Sequence, residues 1–358
     1  MTFAPAPYME WAKKRPRPRI DLAGSNLLAC RLEDLPGARE AVELAGESPE
    51  GYPPLREAIA RRYGVAPAQV ATGIGCSGAN FLALSALLEA GDELVAETPY
   101  YDPILAAARM AGAGVRTFER RLADNFDVDP DAVEAALTPR TKVVVITNPH
   151  NPSGVLASPA RLAGLARLAE RRGLRVLVDE VYLDATHEPG ARSAAHISPR
   201  FVATNSLTKS YGLASLRCGW VLADDETVAR VRRVRDAVDV WSPMPADRLS
   251  TLAFRHLAVL AERSRRIVEA NRAAVRRVLA ARSDLTLVMP KATIAFPRLE
   301  SGPSADAFVE RLFAETGTAV APGRFFGAPG HFRIAFGGDP AAVADGLAAV
   351  ARTLDASS

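Results

Sequence analysis

The segment Val143-Val144-Val145-Ile146-Thr147 constrains this chain more than any other. Its five residues are β-branched, with no polar residue at alternate positions. Such a run does not suit a strand with one wet face; it suits one buried on both faces, as in a parallel sheet between two layers of helices. Similar short apolar runs recur at Leu94 to Ala96, after the turn Gly91-Asp92, and at Leu174 to Val178, Phe201 to Asn205 and Gly219 to Leu222. Helical segments separate them. Asp129-Pro130 precedes a helix over Asp131 to Leu137, and Ser158-Pro159 precedes one over Ala160 to Arg171, each placing a capping side chain ahead of proline in the first turn. Gly173 ends the second. Strands alternating with helices predict an α/β fold with a mostly parallel sheet covered on both faces.

After about Trp241 the pattern changes. Ser242-Pro243-Met244-Pro245 breaks the chain, and one long helical stretch is expected over roughly Ala246 to Ala281. The tail then reads as strands (Thr286 to Val288, Ala292 to Phe296, Phe332 to Phe336) mixed with helices (Ala305 to Ala314, Ala341 to Leu354). The expected organisation is a large domain over residues 34–255 and a smaller α+β domain built from residues 1–33 and 256–358.

The 44 basic and 41 acidic residues leave a net charge of only +3, which gives no electrostatic reason to expect nucleic acid or an anionic membrane as partner. No run of eighteen apolar residues suggests a membrane span. Met1 to Arg19 lacks the apolar core of a signal peptide. Its basic Lys13-Lys14-Arg15 could be a nuclear signal but reads better as part of a solvated arm. Three widely spaced cysteines (Cys30, Cys76, Cys218) and no metal-ligand spacing among the five histidines argue against a disulfide framework or a metal site. They favour a reducing, cytoplasmic setting. Only five lysines occur, so a lysine in an unusual place carries weight.

Four segments carry polar chemistry. Gly73, Gly75 and Gly78 fit G-x-G-x-x-G before the helical run Phe81 to Leu88, and Glu97 follows about twenty residues on. That is the dinucleotide fingerprint, yet a glycine-rich turn at a helix N-terminus accepts any phosphate. Asn148-Pro149-His150-Asn151-Pro152-Ser153-Gly154 is a stiff turn at a strand end. Asp179-Glu180-Val181-Tyr182 puts a carboxylate at the end of a buried strand, where it needs a partner. Ser206-Leu207-Thr208-Lys209 puts a lysine after an apolar strand, with Arg217 eight residues on; desolvation there favours the neutral, nucleophilic amine. Each alone reads equally well as a turn, a cap or an ion pair. Together, three consecutive strands deliver Asn151, Asp179 with Tyr182, and Lys209 to the sheet edge where α/β proteins bind ligands. A phosphate turn, a carboxylate, an amide, a phenol and a lysine amine are the parts that pyridoxal phosphate requires.

In these motifs the chain resembles the class I/II aminotransferases, fold-type I pyridoxal-phosphate enzymes. The resembling segments, in family order, are Leu55 to Ile59, Gly73 to Ala79, Thr98 to Pro103, Thr147 to Gly154, Val178 to Tyr182, Ser206 to Trp220 and His331 to Phe336. The resemblance implies a seven-stranded, mostly parallel sheet in the large domain and a homodimer acting on an amino acid and a 2-oxo acid. It implies that Lys209 forms the Schiff base with the cofactor and moves the substrate proton. Asp179 pairs with the ring nitrogen, Asn151 and Tyr182 with the ring's phenolic oxygen, and Tyr101 stacks on the ring. Gly75, Cys76, Ser77, Ser206 and Arg217 surround the phosphate. Arg333 grips the substrate's α-carboxylate, with Asn151, Gly24 and Asn26 beside it. The tyrosine that the family often sends to the neighbouring subunit's phosphate has no counterpart near Gly46, and no arginine is assigned to a substrate side-chain carboxylate. The alternatives are a lyase or cyclase using the same cofactor, a nicotinamide oxidoreductase using Gly73 to Gly78, and a non-catalytic cofactor sensor.

Overall fold

The computed structural model describes residues 6–356. After a short first strand, β1 (Ile20–Asp21), seven strands form the principal sheet: β2 (Val70–Ile74), β3 (Glu93–Thr98), β4 (Gly114–Glu119), β5 (Thr141–Thr147), β6 (Arg175–Asp179), β7 (Phe201–Ser206) and β8 (Cys218–Leu222). Their order is β2-β8-β7-β6-β5-β3-β4. All neighbours run parallel except β8, which is antiparallel to both β2 and β7.

The β-branched runs behave as two-sided strands must. Val143, Val145, Leu177, Val202 and Val221 face one layer, with the helix Gly75–Leu87. Val144, Ile146, Val176, Val178 and Phe201 face the other, with the helix Pro159–Arg172. Successive side chains leave opposite faces of a strand, so a run without polar alternation fills both cores. Each such side chain contributes about 1.5–3 kcal/mol by leaving water. The helix starts follow the sequence: Asp129 accepts from the Asp131 amide ahead of Pro130–Ala136, Ser158 accepts from the Arg161 amide, and Gly173 closes the second helix at φ +66°.

Six further strands follow: β9 (Leu285–Thr286), β10 (Ile294–Ala295), β11 (Arg298–Leu299), β12 (Thr318–Ala319), β13 (Ala321–Pro322) and β14 (Phe332–Ala335). β14 lies between β10 and β13, β9 pairs with β11, and β1 pairs in parallel with β12. Ile20 and Leu22 join the core formed by the C-terminal helices Leu257–Leu279, Ala305–Thr316 and Pro340–Asp355.

Four expectations need correction. The long helical stretch is two helices, Met244–Arg255 and Leu257–Leu279, broken at His256. The break has no glycine or proline, so nothing in the pattern marks it. The glycine-rich segment is not a turn before a helix at Phe81: β2 runs through Gly73, and the helix begins at Gly75. The edge strand β4 escaped notice because its residues are largely exposed. The N-terminal arm is not merely solvated. Pro7–Lys14 is a helix whose Tyr8 is buried against Phe326; Lys14 points outward to pair with Glu10, while the largely buried Arg15 lies over Trp11 and pairs with Asp21.

Candidate active site

Register decides what the strand ends present. Thr147 on β5 lies beside Asp179 on β6, and Asp179 lies beside Thr204 on β7. The turns leaving β5, β6 and β7 therefore open onto one crevice. Asn151, Asp179, Tyr182, Ser206, Lys209 and Arg217 line a cavity of about 190 Å³, together with Cys76, Ser77 and Tyr101.

Lys209 sits on the short helix Thr208–Tyr211. Its ammonium donates to Asn26 Oδ1 at 2.7 Å and Ser25 Oγ at 3.0 Å. Burial, then the nearby Arg333 and Arg217, push the amine down to about 7, against the opposing pull of Asp179. Asp179 is itself buried. Its Oδ2 accepts from Asn80 Nδ2 at 2.7 Å, and its Oδ1 accepts from the Val181 amide at 3.0 Å and the Cys76 thiol at 3.3 Å. Burial raises its pKa and these donors oppose that rise. Tyr182, fully buried, is pushed up to about 12 by desolvation and stays a neutral phenol. Tyr101 is raised for the same reason, and its hydroxyl meets Met9 Sδ at 3.7 Å.

Asn151 is held by its own turn, its amide donating to Thr147 Oγ1 at 2.8 Å. The turn is braced by His150, whose ring nitrogens meet Ser153 Oγ at 2.7 Å and the Pro99 carbonyl at 2.8 Å. Asn151 Oδ1 accepts from Arg333 Nη1 at 2.9 Å. Arg333, on β14, has no exposed surface. Its guanidinium lies 5.0 Å from the Tyr8 ring centre and 4.7 Å from that of Phe326, and Nη2 donates to the Tyr8 hydroxyl and the Ala23 carbonyl. Arg333 thus stands behind Asn151 rather than on the cavity wall. Tyr8 was missed because a short N-terminal segment gives no strong periodic signal. Gly24 is not on the wall either: its amide donates outward to Asp21.

At the other end, the helix Gly75–Leu87 begins with no side-chain cap and no acidic residue in its first turn. The Gly75 amide donates to the Arg217 carbonyl at 2.7 Å, and the amides that follow it, with the positive dipole end, can take an anion. Gly75 adopts φ +69°, and a Cβ there would stand 2.2 Å from Arg217 Nη2, so only glycine lets the guanidinium lie against this turn. The Ser206 hydroxyl accepts from the Thr208 amide at 3.3 Å, and the Thr208 hydroxyl is buried with no partner. The Cys76 thiol points away from the helix mouth, toward Asp179. An orphaned hydroxyl, an open helix end and a guanidinium suit a phosphate; a near-neutral amine suits an aldehyde; a buried carboxylate suits a pyridinium. The residues present fit pyridoxal phosphate.

They do not fit a nicotinamide dinucleotide. β2 is an edge strand whose one neighbour in the sheet is antiparallel, whereas the dinucleotide turn opens a parallel βαβ unit. Glu97 is buried and already accepts from Arg120 Nη1 and the Thr147 amide, both at 2.7 Å, so it has no free reach to a ribose.

Residues 42–350 match the family model of the aminotransferases of class I and II. The chain belongs to this family. It is 32% identical over 309 residues to the capreomycidine synthase of Streptomyces vinaceus, covering 84% of this chain and 78% of that protein. It is 30% identical over 308 residues to the aspartate/prephenate aminotransferase of Thermus thermophilus, covering 80% and 77%. Among solved structures, a PLP-dependent aminotransferase from Streptococcus suis superposes with a TM-score of 0.94 at 25% identity, over 100% of this chain and 99% of the other. The aspartate aminotransferase of Thermotoga maritima gives 0.86 at 26% identity, over 98% and 95%. This chain is a pyridoxal-phosphate-dependent aminotransferase of the same α/β fold.

Proposed function

We propose that this aminotransferase exchanges an amino group between an L-amino acid and a 2-oxo acid at the crevice formed by β5, β6 and β7, with pyridoxal phosphate bound by the residues above. When bound, the cofactor supplies an aldehyde that takes up the amino group and a ring that draws electrons from the substrate's α-carbon. The chain does the rest. Lys209 anchors the cofactor and, once displaced by substrate, is a free amine that takes the α-proton and returns it; such general-base help is worth roughly 10²–10⁴-fold. Asp179 holds a negative charge opposite the ring nitrogen. Asn151 and Tyr182 donate to the phenolic oxygen, and Tyr101 covers the ring. The Cys76 and Ser77 amides, Ser206 and Arg217 would hold the phosphate; the Gly75 amide already donates to the Arg217 carbonyl. Arg333, behind Asn151, would meet the substrate carboxylate through Nε, the guanidinium N–H that its neighbours leave open. Asn26, which now accepts from the Lys209 amine, is the neighbour on the substrate side rather than Gly24.

The observation that carries this reading is the Lys209 amine, poised near neutrality between a buried carboxylate and an uncapped helix end. The test is borohydride reduction of the cofactor-loaded protein followed by peptide mapping. The label is expected on Lys209, and Lys209→Ala is expected to lose both the visible absorbance and turnover. Label on another residue, or on none, overturns the assignment. Amino acid added alone is expected to leave pyridoxamine phosphate; return of the starting spectrum would indicate a lyase instead.

The two-unit organisation, 34–255 against 1–33 with 256–358, belongs to the same proposal, supported by the separate cores on the principal sheet and around Ile20 and Leu22. So does a homodimer. Leu44, Val238, Val240 and Trp241 are exposed, and their segments run side by side, with Gly46 against Met244 and Gly51 against Arg235. A cytoplasmic setting agrees with three free thiols.

A further inference from the structure

We propose that Asn80 is a positioning residue for Asp179, and that Thr204 braces its amide in the donating orientation. The proposal rests on the pyridoxal-phosphate reading above. Asn80 and Cys76 are four residues apart on the helix Gly75–Leu87, so they share the face turned toward β6 and β7. Asn80 is buried, at 2% exposure, and donates through Nδ2 to Asp179 Oδ2 at 2.7 Å. Thr204 Oγ1, on the neighbouring strand, donates to Asn80 Oδ1. The Cys76 thiol stands 3.3 Å from Asp179 Oδ1 and 3.6 Å from Thr204 Oγ1, closing a ring of four side chains.

The direction of each donor gives the ring its meaning. An asparagine amide has two ends of nearly equal shape. Flipped, Asn80 would put its carbonyl oxygen against a carboxylate oxygen. The acceptor-only carboxylate disfavours the flip, and the Thr204 hydroxyl, which donates to Oδ1, braces the same orientation. The Asn80 amide, the Val181 amide and the Cys76 thiol then all donate to Asp179, and every hydrogen bond to its carboxylate among the described residues comes from a donor. A carboxyl group surrounded only by donors is favoured as an anion, against the burial that favours the neutral acid. The cofactor's ring nitrogen keeps its proton only opposite an anion. Asn80 therefore acts on the ring nitrogen through Asp179, without touching it.

The test uses the holoenzyme loaded with pyridoxal phosphate carrying ¹⁵N in the ring, whose chemical shift reports protonation of that nitrogen directly. In Asn80→Leu, loss of one hydrogen bond to a charged group is expected to weaken the nitrogen's hold on its proton ~10-fold or more and to lower kcat ~10–100-fold. Thr204→Val is expected to move both readouts in the same direction by less, and the double variant to be no worse than Asn80→Leu, since Thr204 acts through Asn80. A purely structural role would lower the melting temperature and leave the nitrogen's titration where it was. If Asn80→Leu does not fold, Thr204→Val carries the same test. An unchanged ¹⁵N titration in a folded variant overturns the inference alone. Wild-type protein that takes up no cofactor overturns the cofactor reading and this inference with it.

Discussion

Replacing Lys209 by methionine is expected to stabilise the cofactor-free protein while destroying its activity. The lysine amine falls from its ordinary 10.5 to about 7. At about 1.4 kcal/mol per pKa unit, keeping this ammonium in the fold costs at most about 5 kcal/mol. The amine opens into the cavity and donates to Ser25 and Asn26, so solvent and these acceptors reduce that ceiling to ~2 kcal/mol. The sign follows from proton counting. Between pH 7 and 10.5 the unfolded chain holds a proton at this position that the folded chain has released, so stability rises with pH across that window. Below 7 the penalty is fully present. Urea unfolding of cofactor-stripped wild type and Lys209→Met from pH 6 to 9.5 measures it; the difference between the two removes every other titrating group common to both. Methionine is expected to be ahead by ~2 kcal/mol at pH 6 to 7, with the gap narrowing toward pH 9.5. Equal stability with parallel pH profiles would refute the claim that Lys209 is held in a strongly desolvating, cationic place.

Arg333→Lys is expected to raise KM for the amino acid ~10–100-fold with a smaller change in kcat, because an ammonium cannot hold Asn151, Tyr8 and the Ala23 carbonyl as the planar guanidinium does and still meet a carboxylate; steady-state kinetics at saturating cofactor check it. Gly75→Ala forces a Cβ against Arg217 Nη2 at a left-handed backbone position. A stability loss of about 1–3 kcal/mol and weaker cofactor retention are expected, read by thermal melts and by dialysis against buffer. Trp241→Asp is expected to move the protein from dimer to monomer in light scattering; a wild type that is already monomeric contradicts the dimer.

The principal sheet was legible because β5, β6 and β7 are buried on both faces and say so in consecutive apolar residues, β-branched without interruption in β5. β4 was not, because an edge strand with Arg116, Thr117 and Glu119 facing outward carries little apolar signal. The polar residues at the strand ends were legible as a set, since each follows directly on a readable strand. What the sequence does not show is lateral contact. Nothing local to Asn80, Thr204 or Tyr8 says that the first two converge on Asp179, or that an N-terminal helix delivers a phenol to Arg333 across 325 positions of chain. The glycine spacing of Gly73, Gly75 and Gly78 fits two cofactors equally well as a string. Strand direction separates them, and direction depends on which strand lies alongside.

Two of the buried groups left without partners lie in or beside the cavity. The Thr208 hydroxyl is buried and unpaired beside Lys209, and the Nε of Arg333 is buried and unpaired beside Asn151. Each costs the folded chain about 1–3 kcal/mol that an apolar residue of similar shape would not. A fold keeps such a cost where a ligand later removes it. The kinds of group fit the proposed ligands: a hydroxyl on the same wall as Cys76 and Ser77 would suit a phosphate oxygen, and a guanidinium N–H behind Asn151 would suit a carboxylate. Loading the cofactor should then satisfy only the first orphan. Arg333 should remain unsatisfied until the amino acid arrives, so substrate carboxylate, rather than cofactor, is what completes the fold around Tyr8 and β14.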